Sequence, residues 1–555
     1  NFILEWFATN DLRARAKFGI SKNSSTAEVR LSPQHSDFDE MSETEKGLYT
    51  NAQTKNLNYE GDISVTYGHL FAGKHMINAV AGFNFNTKEN SKNGYKAIGF
   101  TEDEFDAPSF TNSYPAGSKP TYTESKTRAA SFYINGGYAY DNRYLFDFNY
   151  RSDGTSVFGT NNRFRNTWSV GLGWNIHAEK FMENCDFFQL LKLRGSVGNP
   201  GNQNFASYQA FSTYAFTHWM SNIFGTGVIL EGLGNPDLAW QETINYSLGT
   251  DVTMFNERVN LTIDLYRKKT DPLVAAITTP SSIGVKSVMM NMGQLKTDGI
   301  EVTLKVSPIY RPQDRFVWNI SLNGTHAKSK YSKIGNRLQS MNEQNQANLN
   351  TTRYYDGGSP TDIWAVRSAG IDPATGQDLF IKKDGTYTFT YDKNDEVVVG
   401  NTEPKLEGVL GTTLYYKGLS FGCYLRYRLG GQVFNNALYE KVENIDREGI
   451  NYNQDKRALY DRWSTPGQEA KFKRISLFQT TETSSRFVMD ENTLSGESFN
   501  IGYEFTQPFI KHIGLSTLTV QANMNDIFRV SSVKSERGID YPFARTMSFS
   551  ISATF

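Results

Sequence analysis

The chain has 555 residues, a formal net charge of −1 and only two cysteines, Cys185 and Cys423. That balance excludes a nucleic-acid surface built on bulk positive charge, and two cysteines cannot make a disulfide framework. Mean hydropathy is −0.51 and no run approaches the roughly 20 apolar residues of a spanning helix, yet aromatic residues make up 14% of the chain, an excess that suits aromatic girdles at a membrane interface.

The chain opens inside a strand-like run, Phe2 to Ala8, with no secretory leader ahead of it, and this reads as a piece of a larger protein. Alternation of apolar and polar residues then recurs along the sequence. Ile77, Ala79, Ala81, Phe83 and Phe85 oppose Asn78, Gly82, Asn84 and Asn86. Tyr144, Phe146, Phe148 and Tyr150 oppose Asp147, Asn149 and Arg151. Further on, Ile244 to Val252, Val259 to Leu265, Phe316 to Leu322, Phe421 to Leu429 and Phe499 to Phe505 repeat the pattern. At the end, Phe543, Met547, Phe549, Ile551, Ala553 and Phe555 fall on one face and Ala544, Thr546, Ser548, Ser550, Ser552 and Thr554 on the other. A chain ending on an aromatic, with its apolar side set for lipid and its polar side for a wet lumen, suits an outer-membrane barrel.

Connections alternate in length. Short ones are expected at Thr9–Asp11, Gly73–Lys74, Asp141–Asn142, Asn256–Glu257 and Lys417–Gly418, and slightly longer ones near Glu179–Gln189, Pro308–Asp314 and Gln507–Ser516. Between them lie long polar stretches expected as external loops: 21–61, 88–129, 199–242, 268–298, 326–408 and 430–497. Alternation of this kind puts every tight turn at one end, as in a barrel with short periplasmic turns and long outer loops. The count is about 17 strands, an odd number for a bacterial barrel. A complete barrel of about 22 strands would leave about five outside this sequence. The expected fold is therefore all-β, a transmembrane antiparallel β-barrel in the bacterial outer membrane, with residues 1–555 forming the C-terminal portion of one barrel and no soluble linker dividing it.

Catalytic and cofactor motifs do not develop. Gly68 to His75 (GHLFAGKH) nearly matches a phosphate-binding loop, but His75 stands where the Ser or Thr magnesium ligand belongs, and the segment straddles a hairpin rather than opening a helix. The seven histidines are scattered and form no metal motif; His69 and His75 flank one turn. Asp372, Gly376 and Asp378 lack the ligand run and closing Glu of a calcium loop, so a turn is expected there. No enzyme, metal or cofactor is expected.

Arg143 to Gln203 contains RYLFDFNYRSDGTSVFGTNNRFRNTWSVGLGWNIHAEKF and then LKLRGSVGNPGNQ; four more segments follow in order, NMGQLKTDGIEVTL, AGIDPATGQDLF, DRWSTPGQEAKF and RGIDYPFARTMSFSISATF. Together these closely resemble the SusC-like branch of TonB-dependent outer-membrane transporters of Bacteroidetes. The resemblance implies active import of large nutrients, glycan oligosaccharides or oligopeptides. It also implies a plug and TonB-contacting segment ahead of Asn1, a SusD-like surface lipoprotein as a lid, contact with outer-membrane lipid and lipopolysaccharide, and a possible dimer of transporter–lid pairs. Motif residues such as Gly154, Gly159, Asn161, Asn162, Asn199, Pro200, Gly201 and Asn202 are turn formers and are expected to staple loops.

In such a transporter, ligand would meet lumen-facing side chains and the inner sides of outer loops. Loop aromatics able to stack on sugar rings or peptide side chains are Tyr214, Trp219, Tyr354, Tyr355, Trp364 and Trp463, with Arg353 and Asp356 as polar contacts. The alternative for each is packing of the loops themselves. Arg426 and Arg428 are expected to face the lumen and to pair with plug carboxylates or neighbouring groups. Competing readings are a siderophore-type transporter, a passive porin, or a soluble all-β carbohydrate-binding or hydrolytic protein, in which the apolar rows would be covered by a second layer of protein.

Overall fold

The computed structural model describes residues 1–100, 107–157, 163–200, 211–223, 225–445, 454–476, 480–505, 510, 512, 514–534 and 545–555. Strands β1 (Phe2–Phe7), β2 (Leu12–Leu31), β3 (Leu48–Phe71), β4 (His75–Ile98), β5 (Thr121–Tyr140), β6 (Tyr144–Thr155), β7 (Phe164–Asn175) and β8 (Phe188–Asn199) follow one another. A hairpin of β9 (Thr213–Asn222) and β10 (Gly225–Gly232) precedes β11 (Thr243–Met254) and β12 (Val259–Thr270). A second, of β13 (Leu273–Thr278) and β14 (Ser287–Met292), precedes β15 (Gln294–Arg311) and β16 (Phe316–Ser332). Helix α1 (Gln339–Ala347) leads to β17 (Asp362–Ile371), β18 (Asp378–Ile381), β19 (Tyr387–Thr388) and β20 (Glu396–Asn401). The chain finishes with β21 (Leu406–Tyr416), β22 (Leu419–Phe434), β23 (Val488–Phe505), β24 (Thr517–Ser531) and β25 (Thr546–Thr554).

Seventeen of these strands form one antiparallel sheet in which each pairs with its predecessor, skipping only the loop strands β9, β10, β13, β14 and β17 to β20. This is the up-and-down wall of a barrel, and its strand number is the one expected. Among the described residues the sheet does not close on itself: β1 pairs only with β2, and β25 only with β24. Tight turns sit at one end, where local chemistry makes them. Asp141 and Asn142 both take positive φ, as does Lys417 before Gly418, and Thr9 Oγ1 accepts from the amides of Asp11 and Leu12 at 3.2 and 3.0 Å. Gly68 to His75 crosses the β3–β4 hairpin, with no helix after it.

Register puts the apolar rows on one face right across the sheet. One rung runs Ile63, Phe83, Phe132; others pair Leu248 with Leu265 and Ile300, and Tyr503 with Val520 and Ile551. These side chains are uncovered: Ile63 is 58% exposed, Phe83 45% and Leu248 52%. Most of the fully buried large apolar side chains among the described residues, Phe100, Leu238, Ile334, Val366, Val442 and Phe487, belong to the outer loops and the strand ends beneath them, with Ile510 in the connection between β23 and β24. A soluble sandwich would place its largest apolar rows in a core, so that reading fails. An apolar outer face over a polar inner one is the solution a strand wall adopts in lipid.

The long outer connections differ from expectation in a consistent way. Most of 21–61 and about half of 88–129 is strand, because β2 to β5 run far beyond the span lipid requires. Above the bilayer both faces meet water, so alternation fades while the hydrogen-bond ladder continues. The stretches 199–242 and 268–298 hold hairpins, 326–408 holds α1 and a four-stranded sheet ordered β19-β18-β17-β20, and 430–497 holds short helical turns. Phe543, Ala544, Gly159, Asn161, Asn162, Gly201, Asn202 and Gln203 lie outside the described residues.

Candidate functional site

Two surfaces could meet a solute: the inner wall and the layer of folded loops above it. Inward residues of the wall are joined by polar networks. Ser131 Oγ donates to Asp153 Oδ1 at 2.5 Å, Arg151 Nε donates to the same oxygen at 2.6 Å, and the Tyr133 hydroxyl donates to Asp62 at 3.1 Å. Arg194 bridges Asp251 at 3.1 Å and Asp264 at 2.7 Å. Gly249 makes room for this bridge, since a Cβ there would lie 2.4 Å from Asp264 and 2.7 Å from the Arg194 guanidinium carbon. Arg426 finds its partner on the wall, Glu497 at 2.7 Å, and Arg428 lies 3.7 Å from both Glu407 and Glu491. A concavity of about 440 Å³ on this wall is lined by Asn135, Asn149, Arg151, Ser169, Ser196 and Asn245 among others, a surface of amides and hydroxyls able to exchange hydrogen bonds with a passing polar solute.

The outer layer is built by interlocking sequence motifs. In AGIDPATGQDLF, Asp372 accepts from the Thr375 amide and hydroxyl at 3.0 and 2.6 Å, and the Gly376 amide donates to the Asp372 carbonyl at 2.8 Å. These bonds close the turn expected there, and those from the Thr375 hydroxyl and amide hold the Asp372 carboxyl below its ordinary range. Gly376 sits at φ +69°, with space for a Cβ already taken by the Trp463 ring at 2.4 Å. Trp463, from DRWSTPGQEAKF, donates from Nε1 to the Pro373 carbonyl at 2.8 Å. Its neighbour Arg462 is buried and donates to the carbonyls of Ala458, Lys473, Val442 and Glu443.

Beside these motifs lies an ionic knot that sequence reasoning missed. Arg486 contacts Asp378 and Glu443, each at 3.0 Å, with all three side chains nearly excluded from solvent. Burial pushes the Asp378 carboxyl above its ordinary range despite the guanidinium, and it pulls the nearby Lys473 ammonium down. Burial also drives the Tyr439 phenol up to about 12. Asp378 carried a signal in its motif, but Arg486 and Glu443 lie in segments with neither periodicity nor turn chemistry, and nothing in their spacing announces the contact.

The structure separates the loop candidates. Arg353 is 3% exposed, with its guanidinium committed to Glu396 through bonds of 2.8 to 3.1 Å, so it is a loop staple. Asp356 caps the amides of Ile334 and Gly335 at 2.8 and 3.1 Å. Tyr354 packs into a small apolar cluster with Met292, Ile334 and Leu338, its ring 5.8 Å from that of Tyr331. Trp463 is spent on the Gly376 turn. Tyr355 and Trp364 differ: their rings lie 5.2 Å apart and together line a cavity of about 320 Å³ with α1 residues Gln339 and Glu343, Asn336, and Lys383 and Lys393. Arg353 and Glu396 complete its lining. Tyr214 stands 64% exposed on the β9–β10 hairpin; Trp219 belongs to β9, and its side chain lies outside the described residues.

Residues 1–435 match the family model described as TonB dependent receptor-like, beta-barrel. The chain belongs to this family. It is an outer-membrane β-barrel of the TonB-dependent receptors, as the bare apolar face required. Among curated relatives it is 25% identical over 516 residues to TonB-dependent receptor P39 of Formosa agariphila, covering 85% of this chain and 49% of that protein. It is also 25% identical over 454 residues to TonB-dependent receptor SusC of Bacteroides thetaiotaomicron, covering 77% and 43%. The chain thus spans about half the length of the curated relatives it matches. Among solved structures, that of the RagAB peptide transporter superposes with a TM-score of 0.83 at 21% identity, covering 96% of this chain and 58% of that one, a likeness of fold.

Proposed function

We propose that this chain forms the wall of a TonB-dependent importer of large nutrients, oligosaccharides or oligopeptides, closed by strands contributed from outside these residues. Energy would come from TonB acting on a plug in the lumen, and a SusD-like lipoprotein would cap the outer mouth. No covalent chemistry is involved. One observation carries this reading: a lipid-facing strand wall of the TonB-dependent receptor family whose outer loops are folded into a layer bearing a polar cavity. Similarity to SusC, and in fold to the transporter of RagAB, favours a large solute over a small ion. The loop aromatics Tyr355, Trp364, Tyr214 and Trp219 are the proposed ligand contacts.

Deleting TonB in the native host is expected to abolish uptake of the labelled nutrient while leaving the receptor in the outer membrane. Continued uptake at the wild-type rate would exclude active import. The double variant Tyr355→Ala, Trp364→Ala is expected to weaken ligand binding about tenfold or more, since each ring offers roughly 1 kcal/mol of stacking. The Arg353–Glu396 pair should keep the loops folded, as read by unchanged resistance to protease.

A further inference from the structure

The cavity beside Tyr355 and Trp364 has a chemical bias that no sequence motif announces. Three segments meet there: helix α1, the turn 382–386 between β18 and β19, and the turn 393–395 ahead of β20. They are tied to one another within the protein. Gln346 of α1 donates to the Lys393 carbonyl at 2.6 Å and to Glu396 at 3.1 Å, and the Lys383 amide donates to Asp395 Oδ1 at 3.0 Å. Asn342, buried in α1, accepts from the Tyr354 amide at 2.7 Å and donates to its carbonyl at 2.9 Å. The backbones of Lys383 and Lys393 are thereby fixed at one rim, so a ligand that uses them has little ordering cost to overcome.

Most charges around the cavity cancel. Arg353 is committed to Glu396 at 2.8 Å and to the Thr352 carbonyl at 2.8 Å. Asp395 and Asp392 accept from the amides of Lys383 and Asn394. Lys383 and Lys393 remain, both exposed and with no carboxylate within 4.0 Å among the described residues. One carboxylate opposes them, Glu343, which accepts from Gln339 Nε2 at 3.0 Å. Donors are in the same excess. Among the described residues neither Trp364 Nε1 nor the Tyr355 hydroxyl has a hydrogen-bond partner, and an indole N–H can only donate. A ligand that completes this cavity must bring acceptors and negative charge.

The two rings indicate what carries that charge. Their centroids are 5.2 Å apart and their planes are tilted by 44°, an open apolar flank with N–H and O–H donors at its edge. A pyranose fits such a flank, offering a C–H face to the rings and oxygens around its perimeter to the donors. An acidic peptide side chain is a carboxylate on a flexible stem; it would answer the lysines and leave the rings uncovered. At about 320 Å³ the cavity stands at the low end of small-ligand pockets, so it takes a terminal unit or a branch rather than a length of chain.

We propose that this cavity selects an acidic saccharide unit, a sugar ring bearing a carboxylate or a sulfate, which stacks on Tyr355 and Trp364 and sets its anionic group between Lys383 and Lys393. The site so read rests on the proposed import of large nutrients and narrows the solute to acidic oligosaccharides.

The test uses the full receptor purified from its own outer membrane. It is screened on a printed array of uronate-bearing, sulfated and neutral oligosaccharides and of oligopeptides, and the strongest binder is titrated by calorimetry. That binder should be an acidic oligosaccharide. An exposed ion pair contributes up to about fivefold, so Lys383→Gln with Lys393→Gln should weaken binding about tenfold and flatten its decline with rising salt. Lys382→Gln with Lys471→Gln removes two exposed cations of the same layer that do not line the cavity, and should bind as wild type does. Reducing the ligand's carboxylates to alcohols, or removing its sulfates, should weaken wild type by the same factor and leave the Lys383, Lys393 variant unchanged. Glu343→Gln keeps an oxygen for Gln339 and removes the opposing charge; it should bind the acidic ligand severalfold more tightly, a gain that damage to the loops does not produce. Strongest binding by a neutral oligosaccharide or an oligopeptide overturns the proposal, as does an array without signal above background. An acidic ligand that the Lys383, Lys393 variant binds as tightly as wild type overturns it too. If that variant does not fold, wild type decides, since equal affinity for the ligand and its neutralised form also overturns the proposal. Deleting TonB keeps the two readings apart: uptake that survives the deletion removes active import and leaves the acid preference of the purified receptor standing, whereas a neutral preference removes the acidic site and leaves import standing.

Discussion

Arg486 answers two carboxylates at once, and its removal shows what such a knot is worth. Methionine at this position keeps the volume but strands Asp378 and Glu443 in a site closed to water. Breaking a buried pair by removing one partner costs about 3–5 kcal/mol, so Arg486→Met should loosen the outer layer, measured by hydrogen exchange across β17 and β18. The sign with pH follows from burial. Asp378 already has a raised pKa in the fold, so its contribution is present below its unfolded value and is lost as pH rises through the folded one. Without the guanidinium the Asp378 carboxyl shifts further that way. The variant should be nearest to wild type at acidic pH and most impaired at neutral and alkaline pH; the opposite order would show that the knot is not what holds these loops. A second residue makes a different point. Gly376→Ala must place a methyl at φ +69° against the Trp463 ring, a conformation costing about 1–2 kcal/mol before the clash, and Gly376→Ala with Trp463→Ala should recover part of the loss. Sequence alone could name Trp463, Arg353 and Asp356 as polar or aromatic loop residues. It could not tell that each is committed inside the loop layer, because that depends on contacts between segments far apart in the chain.

At the scale of single strands the sequence was informative wherever the two faces met different media. Rows such as Ile77 to Phe85 alternate because one face touches lipid and the other a wet lumen, and seventeen wall strands could be counted on that basis. Legibility stopped at the bilayer edge. The upper halves of β2 to β5 continue the same ladder with polar residues on both faces, so they looked like loops. Short strands such as β18 and β20 carry too few residues for a period to show. The two-medium account makes a paired prediction on β3. Val65 points outward near mid-height and is 43% exposed; Thr66 points inward. Val65→Arg should cost about 2–4 kcal/mol, the penalty for arginine at the bilayer midplane, and should reduce the heat-resistant folded fraction on a gel. Thr66→Arg, one residue away with the same chemistry, should leave it unchanged. Equal effects at the two positions would contradict the assignment of faces.

For the molecule as a whole, rigidity is unevenly distributed over the outer surface. The β17–β20 sheet is sewn to neighbouring segments by the Arg486 knot, by the Ser368 amide donating to Ser485 Oγ at 2.9 Å, and by the Asn401 amide donating to Gln432 Oε1 on the wall at 3.1 Å. Among the described residues the β9–β10 hairpin pairs only with itself, and an isolated two-stranded hairpin is marginally stable in water. It also displays an apolar face: Tyr214 opposes Leu230 and Phe216 opposes Val228, with Tyr214, Phe216 and Val228 64%, 69% and 57% exposed. A rigid layer bearing one apolar hairpin suits the proposed lidded mouth, since the hairpin could settle against a lid without disturbing the rest. Limited proteolysis of the purified receptor should therefore cut first between Thr213 and Gly232 and spare residues 362–401. Adding the proposed lipoprotein lid should protect the hairpin and leave the other cleavage rates alone. If the hairpin resists protease in the receptor by itself, or if the lid protects the β17–β20 sheet instead, then the covering surface lies elsewhere on this layer, and Tyr214 loses its place among the proposed contacts.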